Sequence, residues 1–122
     1  MAALKIAFEA PDNAGGACPS KSRPIDLVHL ANQTMGDKAL ELEVLQIFAR
    51  QARQIMKDMA AAAAADRASL AHRLKGAAQA VGATFVAQAA ERLEAHGSDA
   101  AALAAVGASV IEAENFILKL SR

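Results

Sequence analysis

From Pro24 onward the apolar residues recur at helical spacing, and much of that apolar set is alanine. Alanine is the best helix former and fills little volume, so this pattern suits closely packed helices and not a sheet. Alanine makes up roughly a quarter of the chain, well above ordinary usage. Aromatic residues make up only 3%, with no Trp and no Tyr. The 122 residues suit one domain with room for a real core. Thirteen Lys+Arg balance thirteen Asp+Glu. That balance argues against a general nucleic-acid binder, and the scarcity of aromatics argues against base-stacking platforms. Cys18 is the single cysteine, which excludes an intramolecular disulfide framework and a multi-Cys zinc site. No uninterrupted apolar run reaches about 18 residues, so no membrane span is expected. The amino end carries Lys5 and Glu9 within its apolar stretch and lacks a basic n-region. No signal peptide and a cytoplasmic location are therefore expected.

The first 23 residues differ from the rest. Leu4, Ile6 and Phe8 alternate with Lys5, Ala7 and Glu9, a weakly strand-like pattern, and Pro11, Gly15, Gly16, Pro19 and Pro24 then interrupt any regular period. A lone strand has no sheet to join, so residues 1–23 read as an extended arm or tail and residues 24–122 as the domain.

Pro24 suits a first helical turn, and Ile25, Val28 and Leu30 give a short helix ending near Gly36. Asp37 caps the next helix, whose expected buried stripe is Leu40, Val44, Ile47, Phe48, Ile55 and Met59. Asp66 reads as another cap, before Leu70, Leu74, Ala77, Ala78 and Val81, with Gly82 ending that helix. Thr84 reads as the cap of a helix burying Phe85, Val86, Ala89, Ala90 and Leu93 and ending at Gly97. Ser98 or Asp99 caps the last helix, with Leu103, Val106, Val110, Ile117 and Leu120 inside. The stripe runs almost in phase through Ala60–Ala65, so periodicity alone would allow one helix from Asp37 to Val81. Short connections favour antiparallel neighbours. The expected fold is all-α: an antiparallel up-down-up-down four-helix bundle, a short extra N-terminal helix and the extended arm.

The segment Ala71–Ala83 carries the chemistry. At 100° per residue, Leu70, Leu74, Ala77 and Val81 cluster on one side, and His72 falls about 160–200° away. Lys75, Gly76 and Gln79 share its outer face, with Ser69 at the edge. A neutral imidazole is a competent nucleophile towards a phosphoryl group. The phosphorylated ring would gain about two negative charges, which Lys75 at i+3 can partly neutralise. Gly76 removes bulk beside the ring, and a helix-interior glycine costs about 0.5–1 kcal/mol relative to alanine. On these three residues alone, an ordinary solvated face with a packing notch at Gly76 remains an alternative. His29 reads as a surface or lid residue, and His96 as a cation at a helix C-terminus. The three histidines lack i,i+4 spacing, and the di-iron pattern would need Glu-x-x-His where the chain has only Glu91-x-x-Glu94. No metal and no resident cofactor are expected.

His72-Arg73-Leu74-Lys75-Gly76, then Gly82-Ala83, then Leu93-Glu94 resembles the signature of histidine-containing phosphotransfer (Hpt) domains of bacterial two-component phosphorelays. The resemblance runs from about Pro24 to Leu120 and favours separate helices over one long one. It implies that His72 is the phosphoacceptor through Nε2, that Lys75 contacts the phosphoryl oxygens, and that Gly76 leaves space for an incoming receiver domain. It also implies that Glu94 hydrogen-bonds and orients the imidazole from the neighbouring helix. Arg73, Gln79 and Ser69 would serve partner docking. Many family members carry small polar residues after the glycine, where this chain has Ala77 and Ala78.

The resulting expectation is a phosphorelay intermediate that takes a phosphoryl group from a receiver aspartate and passes it to another response-regulator receiver. Its expected partners are receiver domains and a hybrid histidine kinase, with Mg²⁺ supplied by the receiver. A monomer is expected, with no nucleic acid and no membrane. The chain has no glycine-rich phosphate cradle, so it would be a phosphohistidine carrier without ATP-dependent kinase activity. Two other readings stay open: the dimerisation and phosphoacceptor region of a histidine kinase, and a non-phosphorylated helical adaptor with a degenerate site. Arg73 stands where the kinase regions usually place an acidic residue.

Overall fold

The computed structural model describes residues 23–121. The strand-like stretch around Leu4–Phe8 and nearly all of the expected arm lie outside the described residues. The described chain forms α1 (Leu27–Thr34), α2 (Lys38–Ala61), α3 (Ala64–Val81), α4 (Thr84–Ala95) and α5 (Ala100–Leu120). No strand occurs among the described residues.

α2 packs on α3 and α5, α4 packs on the same two helices, and α1 lies against α2 and α3. The α2–α5 seam runs in opposite senses. Arg53 of α2 reaches Glu114 of α5 at 2.8 Å, whereas Met56, further along α2, lies against Gly107, earlier on α5. Leu45, Ile55, Met59, Leu74, Leu93 and Val106 fill the centre. Burying one such side chain stabilises the fold by about 1.5–3 kcal/mol.

The buried face of α2 is Leu45, Phe48, Ala52, Ile55 and Met59. Leu40 and Ile47, expected inside, are 41% and 50% exposed. α2 meets neighbours along a narrow seam, so a three-four spacing that includes the small Ala52 suffices, and the larger side chains beside it stay outside. Val28 and Leu120 are likewise exposed, one on the short α1 and one at the last turn of α5.

Three aspartates cap helices, Asp37 and Asp99 as expected and Asp26 in place of the expected start at Pro24. Asp26 accepts from Val28 and His29 amides, Asp37 from Leu40, and Asp99 from Ala101 and Ala102. Asp99, not Ser98, is therefore the cap of α5. Asp66 and Thr84 are not caps. α3 starts from Ala63 and α4 from Ala83, neither with a side-chain cap. Asp66 instead lies in the first turn of α3, where its charge complements the helix dipole. The chain breaks at Ala62 and Ala63, both extended with ψ of 153° and 163°. No Gly, Pro or capping side chain marks this break. Arg67 takes up the freed carbonyls, donating to Met59 O at 3.1 Å and Ala62 O at 2.9 Å.

Gly82 ends α3 in the left-handed region at φ 79°, and its carbonyl accepts from the Asp26 amide at 2.8 Å. α4 ends at Ala95 with His96 closing it, so Gly97 lies in the connection beyond. α5 is long and apolar enough to cross a membrane by length and composition alone, although Glu112, Glu114 and Lys119 interrupt its apolar residues. Much of its apolarity is alanine, and Val106, Val110 and Ile117 face the bundle core.

Gly97 meets α3 backbone to backbone, since a Cβ there would sit 2.5 Å from Ala64 O. Gly97→Ala is therefore expected to destabilise the fold by about 1–3 kcal/mol, the usual range for forced overpacking. Urea unfolding followed by circular dichroism checks this, and an unchanged midpoint would contradict it.

Candidate functional site

α3 buries Ala71, Leu74, Ala78 and Val81. This face is turned slightly from the expected Leu70, Leu74, Ala77 and Val81, of which Leu70 and Ala77 are only half-buried. His72 still points outward, with 66% of its side chain exposed. The rotation moves Lys75 towards α4, leaving its side chain only 23% exposed. On α4, Val86, Ala90 and Leu93 face the core, and Glu94 follows at the rim.

The Glu94 carboxylate bridges two α3 side chains. Its Oε2 lies 2.8 Å from His72 Nδ1 and its Oε1 lies 3.0 Å from Lys75 Nζ. The hydrogen bond from Lys75 is the main cause that holds the Glu94 pKa below its ordinary value. The hydrogen bond and charge of His72 add to this, against a partial desolvation that works the other way. An ionised carboxylate can only accept, so Nδ1 carries the proton and donates it to Glu94. In the neutral ring Nε2 then keeps its lone pair, on a side chain that is mostly solvent-exposed. The arrangement gives an exposed nucleophilic nitrogen, a fixed ring, and a cation about one turn along.

Gly76 lies one turn beyond His72, and a Cβ added there would meet nothing within 4 Å. It is therefore not a packing notch. Ser69, with Ala68, lines a shallow open hollow shared by His72 and Glu94. Arg73 is exposed on the same helix. Gln79 lies about two turns away, beside a second hollow that it shares with Asp26, His29, Gly82 and Glu91. His29 Nε2 approaches Ala80 O at 3.3 Å. His96 closes α4 through its backbone amide, which donates to Arg92 and Leu93 carbonyls. Among the described residues no three His, Cys, Asp or Glu side chains gather as a metal site.

The ion pair between Lys75 and Glu94 escapes sequence reasoning, which assigns Lys75 only to an incoming anion. One signal could have revealed it. His72 and Glu94 are equally far in sequence from Ala83 at the α3–α4 turn, so an antiparallel hairpin about that turn sets them side by side. Arg67 is also missed, because all three of its acceptors are backbone carbonyls.

Comparison with known families bears on the same residues. Residues 43–116 match the model of the Hpt domain, more than half of the chain and all of the His72, Lys75, Gly76 and Glu94 constellation. Neither the comparison with curated proteins nor that with solved structures gives a significant match. A match over most of the bundle, with the exposed histidine at its middle, means that the chain belongs to the Hpt domain family.

Proposed function

We propose that this chain is a phosphorelay intermediate, in which His72 accepts a phosphoryl group from a receiver-domain aspartate and returns it to another receiver. Hpt domains act in phosphorelay signalling with receiver and kinase components. The observation that carries the reading is the exposed His72 ring held through Nδ1 by Glu94 at 2.8 Å.

In the transfer, the Nε2 lone pair forms the N–P bond while the P–O bond to the aspartyl carboxylate breaks. The carboxylate leaves with that electron pair. The ring becomes cationic, and its Nδ1 proton stays in the hydrogen bond to Glu94, the same orienting logic as a catalytic triad. The phosphoryl oxygens bring about two negative charges to the site, and Lys75 is the nearby cation that offsets them. Gly76 leaves room for the partner, and Ser69, Arg73 and Gln79 contribute to the docking face. The magnesium ion that supports such transfers is expected from the receiver.

The bundle is read as antiparallel and up-down-up-down over residues 24–122, with α1 as the extra helix. Four long helices surround one core within a single chain, so no second copy is needed to complete it. That favours a monomeric carrier over the dimerisation region of a kinase. The direction of phosphoryl flow depends on the partners.

His72→Gln is expected to abolish labelling by a phosphorylated receiver while leaving the helical circular dichroism intact. Unchanged labelling would sink the proposal. Gly76→Ala is expected to add about 0.5–1 kcal/mol of stability, since the site has space and alanine favours helix. Gly76→Leu is expected to slow transfer from a receiver but not from phosphoramidate, a donor too small to meet the new side chain. Parallel rate measurements with the two donors check this. A third expectation concerns charge. The Glu94 carboxyl should titrate below the ordinary carboxylate range in an NMR titration and move upward in Lys75→Met. Because its folded pKa is depressed, the stability that this contact supplies is complete above the unfolded value. It is lost as pH falls through the lowered one.

A further inference from the structure

Arg67 occupies an unfavourable place for a cation, the start of α3, where the helix dipole is positive. Its role lies in neighbouring segments. Nε donates to Met59 O at 3.1 Å, Nη2 to Ala62 O at 2.9 Å and Nη1 to Gly97 O at 3.0 Å. These carbonyls belong to the last turn of α2, the α2–α3 connection and the α4–α5 connection. The guanidinium is partly buried among them, and its N–H groups form a rigid planar fork. Gly97 also abuts Ala64 directly, with no space for a Cβ between them.

We propose that Arg67 is a positioning residue for the phosphoacceptor: its three-carbonyl clamp sets the axial register of α4 on α3 and so places Glu94 against His72. Gly97 follows Glu94 by three residues, and Arg67 precedes His72 by five. At about 1.5 Å per residue the clamp lies only about 5–8 Å along the axis from the His72–Glu94 contact. The clamp therefore acts on Glu94 through α3 on one side and, on the other, through only Ala95 and the non-helical His96. The contact at stake is a 2.8 Å hydrogen bond across the seam, which an axial slip of about 2 Å would stretch to about 3.4 Å, beyond the usual range. The consequence for rate rests on the phosphotransfer reading above, whereas the consequence for ring geometry does not.

The test compares the full chain with Arg67→Ala, Arg67→Lys and Glu94→Ala, each first shown by circular dichroism to be helical at the assay temperature. The ¹⁵N shifts of the His72 ring report which nitrogen holds the proton. Phosphorylation is measured with phosphoramidate, so no partner is required. Arg67→Ala is expected to lose the Nδ1–H signature and to be phosphorylated about tenfold more slowly or worse, the scale of a misplaced reacting group. Adding Arg67→Ala to Glu94→Ala should cause no further loss, since both act through one contact. If Arg67→Ala does not fold, Arg67→Lys carries the test, because a single ammonium on a flexible stem cannot reproduce the fork. It should show the same changes in weaker form. Wild-type ring shifts and wild-type rates in a folded Arg67 variant, with only a lower melting temperature, would overturn the proposal. A wild-type chain inert to phosphoramidate would instead fail the phosphotransfer reading, while the ring shifts still decide the role of Arg67.

Discussion

The seam between α3 and α4 is built from alanine, and the position of the site follows from that choice. Ala71 and Ala78 on α3, Ala83 at the turn, and Ala87 and Ala90 on α4 are all buried. The distance between packed helices is set by the side chains at their contact, within about 8–10 Å. Methyl groups at the contact favour a close approach. A glutamate on the rim of α4 can then reach a histidine and a lysine on the rim of α3. Larger residues in this seam would separate the helices and open the Glu94 contacts before they damaged the rest of the core. The low volume of the core and the precision of the site thus have one origin.

Charge at the site follows the same economy. The chain has no net charge, and at rest Glu94 and Lys75 neutralise each other beside the ring. A strong anion arriving next to His72 changes this balance. Lys75 is then attracted to two acceptors, while Glu94 retains the Nδ1 proton of a ring that has become cationic. In the proposed transfer the carboxylate would therefore have a favourable partner both before and after the step. This argues that its two oxygens serve different states of the site. Oε1 holds the cation in reserve, and Oε2 holds the ring throughout.

Much of this was legible in the sequence, and the parts that were not have a common cause. Helical spacing marked the helical stretches, the family resemblance separated α2 from α3, and the Asp37 and Asp99 ends follow local rules that act within a few residues. His72 could be read as exposed because it stands opposite the apolar face whichever way that face is drawn. The exact face could not be read, because alanine is equally at home inside and outside. Ala71 is buried although it was not expected to be, whereas Leu70 and Ala77 are only half-buried, and that small rotation decides whether Lys75 points to solvent or to α4. The start of α3 was misplaced for a different reason. Its break is held by Arg67, whose side chain binds carbonyls on three segments, and backbone acceptors leave no trace in residue identity.

The glycines sharpen where the outward face must be. Gly36 and Gly82 adopt positive φ, Gly97 stands against the backbone of Ala64, and Gly107 receives the methyl of Met56. The first three answer needs of the bundle itself, whereas a Cβ at Gly107 would make only an ordinary contact with Met56. Gly76 answers none among the described residues: it lies within a helix, has no positive φ, and has open space where a Cβ would go. A helix that uses alanine so freely would be more stable with one more. The bundle thus gives no reason for the missing methyl beside His72, and this fits the proposed docking of another protein against the exposed histidine.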